Sequence, residues 1–524
     1  MSRHLPLVTA EEIAAIDAEV IAAGTPGHLL MERAGRAVWS IAAERFKAGP
    51  HSKVVFLCGK GNNGGDGFVA AKTAKRDGLE PSVVLFSVES EVVGDPLYHL
   101  NTARDAGVCV LTFSDLGEDT LVRLLSSADI VFDALLGTGL RGKPKGPIRD
   151  GIEALRGHSA AQVAVDIPSG MEPDTGNGSA AQADLTVTFD ALKRGHIFYP
   201  GRALCGELAV KDIGLDVKHG IEDRVSFTAS DPVLPARSRI AHKGDVGRVT
   251  VIAGSVGLTG AACLVSKAAL RAGSGLVTVG LPESLADLVA VKLTETMTRA
   301  LPEVRKRRCL SLRARADIQG LFENANAIAL GPGLGRHHET VALVRRLIRD
   351  LTAPSVVDAD GLNAFEGELG LLRQSPQPLV LTPHPGEFFR LMGEQVSDPI
   401  RDAKKLSART GSIVVLKGAP TVIGTPEGRS FVNSSGNSGM ATGGTGDVLT
   451  GIIASLIGQG LTAEESAIIG VYWHGISGDL AVDRLTERAL LAGDIIETLP
   501  QAERLINKGS SHTRYIEHVE FDRN

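Results

Sequence analysis

The feature that most limits what this chain can fold into is a recurring unit: a short apolar run, a turn rich in glycine, then a helical segment. The runs "KVVFLC", "PSVVLF", "DIVFDALLG", "QVAVDIPSG" and "LTVTFDALK" form a first series, and "GRVTVIAGS", "GLVTVGLP", "AIALGPG", "SVVDADGLN", "LVLTPHPGE" and "SIVVLKGAPTVI" form a second. Strands that are apolar on both faces and separated by helices make a parallel sheet covered on both sides. The rhythm lapses between Leu215 and Ile240, a polar stretch holding Pro232 and Pro235. The sequence therefore predicts an α/β protein with one domain at about 1–220 and a second at about 235–505. Residues 506–524 read as a loose polar tail. An opening amphipathic helix is announced by Thr9 and Glu12, a capping-box pair.

Composition narrows the function classes. A net charge of -6 on 524 residues argues against a broad nucleic-acid footprint. The basic run Arg305–Arg308 reads as a solvated helix end. The five cysteines are scattered without any C-x-x-C pair, so neither a zinc site nor a disulfide framework is indicated. The opening residues hold no apolar signal region, and no run approaches the roughly 18 apolar residues of a membrane span. A soluble cytoplasmic protein is expected, with neither nucleic acid nor membrane as partner.

The first glycine-rich loop, "GKGNNGGDG" at 59–67, satisfies G-x-G-x-x-G, and Glu89 follows the next strand at the distance of a ribose-binding acid. A dehydrogenase fingerprint nevertheless keeps carboxylates away from the helix start, where the pyrophosphate needs free N–H groups. Here Asp66 is expected at that start, beside two side-chain amides. Asp133 ends another apolar run, and Asp166 a third, with Ser169 just beyond. Strand-end loops of a parallel sheet converge on one crevice. Asn63, Asp133 and Ser169 therefore have the makings of a site for a hard, monovalent cation, although each alone is also an ordinary turn residue.

The motifs "GNNGGDG", "DALLGTGLRG" and "DIPSG", in this order, resemble the epimerase domain of NAD(P)H-hydrate repair enzymes over about residues 5–215. The resemblance implies a Rossmann-like domain that interconverts the R and S forms of hydrated NADH and NADPH. It implies hydrate contacts from Asn62, Asn63, Gly64, Gly65, Asp66, Gly137, Thr138, Gly139, Leu140, Arg141, Gly142, Lys143 and Asp166, and K⁺ held by Asn63, Asp133 and Ser169. Inverting the hydroxyl-bearing ring carbon needs a proton donor and acceptor. Asp166 is the candidate, on the expectation that burial raises its pKa.

The second half is dominated by "NSGMATGGTGDVLTGIIASLIGQG". Small residues at a helix start leave backbone N–H groups free to surround a phosphoryl group, and the helix dipole favours the same charge. Gly443, Gly444, Thr445 and Gly446 form that anion hole, and Asp447 is placed to take a proton from an attacking hydroxyl. Neither a Walker-type loop nor a protein-kinase set is present. "GGTGD" resembles the ribokinase-like signature, and "TPHPGE" with "KGAPT" resembles the dehydratase domain of the same repair enzymes over about residues 235–500.

That resemblance implies phosphorylation of the S hydrate's hydroxyl by ADP and elimination of phosphate, giving NAD(P)H, AMP and phosphate. Asp447 is then the base, and Lys417, Gly418, Ala419, Pro420 and Thr421 bind the nucleotide with Gly446. Ala261, Gly333, His384 and Asp447 contact the hydrate, and Mg²⁺ offsets phosphate charge. Asp358 and Asn363 either aid metal or substrate binding or cap a helix. His337 and His338 read as a solvated helix start, and Arg33 is given no site role. Homo-oligomerisation is expected from the resemblance alone. The competing reading is a vitamin or sugar kinase joined to a dinucleotide-sensing domain.

Overall fold

The computed structural model describes residues 4–140, 142–215, 217, 223–226, 234–507 and 516–520. It divides into two compact units, one of Leu5–Ile221 with Arg514–Asn524 and one of Glu222–Thr513 with Met1–His4. Both are α/β, as the alternation predicts.

In the N-terminal unit one parallel sheet runs Ile516–Glu520, Glu207–Lys211, Leu185–Phe189, Ala161–Val165, Ile130–Ala134, Val54–Cys58, Ser82–Leu85, Cys109–Thr112. Its apolar runs are continuous because both faces are covered. Val54, Phe56 and Cys58 enter one core with Trp39, Phe68 and Phe132. Val55 and Leu57 enter the opposite core with Phe86, Leu121 and Ile152. Thr9 and Glu12 form the expected capping box on the helix Ala10–Ala22.

The glycine-rich motif departs from the expectation of a loop. The helix already begins at Asn62 and runs to Arg76, so Asp66 lies in its second turn. Glycine in a helix costs about 1 kcal/mol relative to alanine, and close packing overrides that cost here. A Cβ on Gly64 would lie 1.9 Å from the Gly59 carbonyl oxygen, one on Gly65 2.3 Å from Met31 Sδ, and one on Gly67 2.7 Å from Cys58 Sγ. The glycines thus press the helix onto the strand end and onto the helix Gly27–Arg45, which carries its side chains into the crevice.

Two further expectations are corrected. Within the 506–524 tail, Ile516–Glu520 is a strand paired in parallel with Glu207–Lys211, whose outer edge would otherwise be unpaired. Arg305–Arg308 is not a helix end: it joins the antiparallel strands Glu303–Val304 and Cys309–Leu310, and Arg308 adopts a left-handed φ of 48°.

The C-terminal unit has a sheet in the order Met297–Leu301, Leu276–Pro282, Arg248–Ile252, Ala327–Leu330, Ser355–Val357, Leu379–Leu381, Ile413–Leu416, Val422–Gly424, Ser430–Asn433, Asp223–Ser226. All pairings are parallel except those flanking Val422–Gly424. Asp223–Ser226 falls in the interval the sequence leaves without an element. Helix Thr445–Gly458 is buried from Val448 to Ile457, as a helix apolar all round must be. A Cβ on its Gly451 would lie 2.3 Å from the Val265 carbonyl, so this glycine admits the helix Thr259–Arg271.

Gly64→Ala tests the packing argument. The forced backbone shift is expected to destabilise the N-terminal unit by about 1–3 kcal/mol. Gly139→Ala, whose added Cβ has no heavy atom within 4 Å, is expected to leave its thermal transition unchanged.

Candidate active sites

In the N-terminal unit the strand ends supply the polar groups. Asp133 ends Ile130–Ala134 fully buried, accepting from the Ser169 N–H at 2.8 Å and the Leu135 N–H at 3.3 Å. Burial pushes its carboxyl up to about 6, although the hydrogen bonds from Ser169 and Leu135 oppose that. No cationic side chain acts on it among the described residues. Ser169 Oγ accepts from the Leu136 N–H at 2.8 Å and donates to the Leu136 carbonyl at 3.1 Å. Asn63 is buried, its Nδ2 has no partner among the described residues, and a Cβ on Gly137 would meet its Oδ1 at 3.3 Å. Asn63 therefore abuts the loop after Asp133, while Asp133 and Ser169 are hydrogen-bonded directly. Beyond Gly137, Gly139, Gly142 and Lys143 are exposed and Thr138 and Leu140 half-buried. Arg141 lies outside the described residues.

In the C-terminal unit the parallel strands deliver their loops to one edge. Lys417 follows Ile413–Leu416, and its Nζ donates to Asp358 Oδ1 at 2.9 Å and lies 3.8 Å from Glu387. Asp358 also accepts from Thr450 Oγ1 at 2.8 Å, so the strand end, the lysine and the helix Thr445–Gly458 are tied together. Gly444, with φ of 92°, caps that helix. A Cβ on Gly446 would lie 3.3 Å from Lys417 Nζ; the glycine-rich helix start and the loop that begins at Lys417 are thus neighbours. Thr445 Oγ1 donates to the carbonyls of Met440 and Thr442, both at 3.0 Å, which braces the turn.

Asp447 lies in the first helical turn, half-buried. Burial, followed by the charges of Asp358, Glu387 and Asp360, pushes its carboxyl up to about 7, with Lys417 opposing. His384 caps the helix Pro385–Met392, accepting from the Gly386 N–H at 3.0 Å, while Glu387 accepts from the His384 N–H at 2.9 Å. Burial and the charges of Lys417 and Arg390 hold its imidazole below the usual value. A Cβ on Gly333 would lie 3.1 Å from Ala261 Cβ, so these two positions adjoin. Asn363 is set apart, bonded to Asp360 and Arg390. His337 and His338 do stand at a helix start, and Arg33 donates to the Ile213 carbonyl, an internal tie.

Residues 249–501 match the family described as NAD(P)H-hydrate dehydratase, and residues 27–195 match the YjeF-related protein N-terminus. A bifunctional NAD(P)H-hydrate repair enzyme from Moorella thermoacetica is 40% identical over 514 residues, spanning 95% of this chain and 96% of its own. The chain belongs to the bifunctional NAD(P)H-hydrate repair enzymes. Another member, from Thermofilum pendens, is 38% identical over 93% of both chains. An ADP/ATP-dependent NAD(P)H-hydrate dehydratase from Bacillus subtilis, crystallised with ATP and Mg²⁺, is 31% identical over 52% of this chain and 94% of that one, with a TM-score of 0.46.

In this repair-enzyme chain one physical premise of the sequence reading is reversed. Asp166 is buried, yet its carboxyl is held below the usual value. The charge and hydrogen bond of Lys193, with help from His196 and Thr188, outweigh the burial. It is Asp66 that rises: burial, then the like charges of Asp166 and Asp17, push it well above the ordinary value. Lys193, Thr188, His196 and Asp17 were not singled out from the sequence. The signal for Lys193 was there, a lysine closing the apolar run "LTVTFDALK", where a solvated residue is the usual reading.

The raised Asp447 carboxyl gives a stability prediction. A carboxyl whose folded pKa exceeds its unfolded value contributes stability below the unfolded pKa and loses it as pH rises through the folded one. Asp447→Asn is therefore expected to melt at a higher temperature than the native chain. The gap opens above roughly pH 4 and levels off above about 7; calorimetry across pH 4–9 checks this.

Proposed function

We propose that this chain repairs hydrated NADH and NADPH. Its N-terminal unit interconverts the R and S hydrates, and its C-terminal unit dehydrates the S form at the expense of ADP, releasing NAD(P)H, AMP and phosphate. What carries the reading is one arrangement: Asp447 beside the glycine-rich helix start, with Lys417 against both Asp358 and the Gly446 position. That is the furniture of phosphoryl transfer to a hydroxyl. The kinase alternative uses the same furniture, but it leaves the N-terminal unit's strand-end aspartates without a task. Relatives that match end to end carry the repair name.

In the C-terminal unit Asp447 takes the proton of the ring hydroxyl as its oxygen attacks the terminal phosphorus of ADP, and AMP leaves. The N–H groups of Gly444, Thr445 and Gly446 have no partners within the helix and face the charge that develops. Lys417, Gly418, Ala419, Pro420 and Thr421 hold the diphosphate. Ala261, Gly333 and His384 line the hydrate side. Phosphate then departs far more easily than hydroxide, the neighbouring ring carbon gives up a proton to solvent, and the C–H electron pair becomes the restored ring double bond. Among the described residues no three His, Cys, Asp or Glu side chains converge to hold a metal by themselves. Mg²⁺ would therefore be held chiefly by phosphate oxygens, beside the carboxyl excess of Asp358, Glu387 and Asp447, and it supplies charge neutralisation there.

In the N-terminal unit the hydrate is met by Asn62, Asn63, Gly64, Gly65 and Asp66 on one side and by Gly137 through Lys143 on another. K⁺ suits Asn63, Asp133 and Ser169: a fully buried carboxyl on which no cationic side chain acts among the described residues, an amide oxygen and a hydroxyl are oxygen ligands suited to one monovalent charge. Bound there, the ion would anchor the hydrate and the loop after Asp133. No described helix is long and apolar enough to cross a membrane, and we expect a cytoplasmic homo-oligomer.

The test is recovery of 340 nm absorbance from mixed R and S hydrates. Complete recovery is expected with ADP and Mg²⁺, faster in K⁺ than in Na⁺. Asp447→Asn should lose dehydration by about 10²–10⁴-fold while keeping epimerisation. Asp133→Ala should stall recovery near the S fraction and lose the K⁺ response. Dehydration by the native enzyme should rise with pH through about 7 as Asp447 gives up its proton. Absence of recovery with any nucleotide, from folded protein, would return the kinase reading to the front.

A further inference from the structure

A lysine buried among the carboxyls of the N-terminal unit has no part in the scheme above. The Lys193 side chain is 2% exposed, and its Nζ donates to Asp166 Oδ1 at 2.5 Å and to Thr188 Oγ1 at 2.8 Å. Thr188 Oγ1 in turn donates to the same Oδ1 at 2.8 Å. The Asp166 backbone is held as firmly. Its φ is 64°, a left-handed conformation for a non-glycine residue. Its N–H donates to the Val187 carbonyl at 2.8 Å, and its carbonyl accepts from His196 Nε2 at 2.9 Å. The Lys193 N–H donates to His196 Nδ1 at 3.2 Å, which leaves the imidazole proton on Nε2 and closes the frame.

This frame occupies one oxygen of Asp166 and spares the other. Oδ2 takes no protein hydrogen bond among the described residues, and the carboxylate is 13% exposed, so that oxygen is open to a ligand. Asp66, 9% exposed, makes neither a side-chain hydrogen bond nor an ion pair among the described residues. It lies close enough to Asp166, Asp17 and Lys193 to feel all three charges.

We propose that Lys193 is a positioning residue of the epimerase site: by filling Oδ1 it presents Oδ2 of Asp166 as the proton acceptor for the ring hydroxyl, with Asp66 as the proton donor. This rests on the epimerase reading of the N-terminal unit. The hydroxyl O–H bond breaks and its proton passes to Asp166 Oδ2. The electron pair closes a carbonyl as the ring C–N bond breaks, and the ring nitrogen takes its proton from Asp66. Reclosure on the other carbonyl face reverses both transfers, so the configuration changes while both aspartates end as they began. Lys193 favours the ionised form of Asp166, whereas burial and like charges favour the protonated form of Asp66. Two carboxyls driven apart in this way divide the work of acid and base.

The experiment follows interconversion of chromatographically separated R and S hydrates by the full-length chain and its variants, with kcat, KM and thermal melts. Lys193→Met is expected to lower kcat by about 100-fold with KM within about threefold. Lys193→Arg, which keeps the charge, should recover at least tenfold of that loss. Asp66→Asn should match Lys193→Met, and Thr188→Val should lose about tenfold in kcat. The inference is overturned if folded Lys193→Met keeps kcat within about threefold. It is equally overturned if the Arg and Met variants fall together with raised KM, the pattern of a lysine that merely fills space. Should Lys193→Met not fold, Thr188→Val and Lys193→Arg decide by the same criteria. A native chain that does not outpace spontaneous exchange overturns the epimerase reading itself, and with it this inference, before any variant is compared.

Discussion

Each unit depends on one lysine ammonium held among more carboxyls than it can neutralise. In the N-terminal unit Lys193 faces Asp166 directly and Asp66 at longer range. In the C-terminal unit Lys417 faces Asp358 directly, then Glu387 and Asp447. Burying a charge is costly unless it is paired, and in the N-terminal unit the pairing holds Asp166 below its usual value. The carboxyls left over are pushed towards their neutral forms. Such sets of carboxyls suit a site that both gives and takes protons, without any group of unusual chemistry.

The sheets make these arrangements possible. Parallel strands send all their carboxyl ends to one edge, so side chains far apart in sequence meet there: Asp133 with Ser169, and Asp358 with Lys417 and Thr450. The glycines then set how near the backbone elements come. Gly64, Gly67 and Gly446 each stand where a Cβ would strike or crowd a partner in the site region.

Much of this was legible in the sequence because continuous apolar runs and glycine-rich turns have few physical explanations. The two α/β units and the capping box at Thr9 belong to that class. Asp166 was legible as a strand-end acid but not in its charge state, since that depends on a lysine 27 positions away in sequence. The helical state of "NNGGDG" was hidden because glycine's local preference opposes helix, and only packing against Met31 and the Gly59 carbonyl decides the matter. The polar end of the chain read as a tail because an edge strand needs no apolar signature: its partner supplies the backbone hydrogen bonds.

That edge strand makes the chain's linear order a poor guide to its parts. Ile516–Glu520 completes the sheet of the N-terminal unit, whereas the helix Ala492–Asn507 that precedes it in the chain belongs to the C-terminal one. Cutting the polypeptide once, in the interval after Leu215, does not yield two whole domains. The first fragment is left with Glu207–Lys211 as a bare sheet margin, ready to pair with another copy of itself. The second carries a β-segment with nothing to lie against. The two catalytic halves, separable as chemistry, are therefore stitched together as architecture.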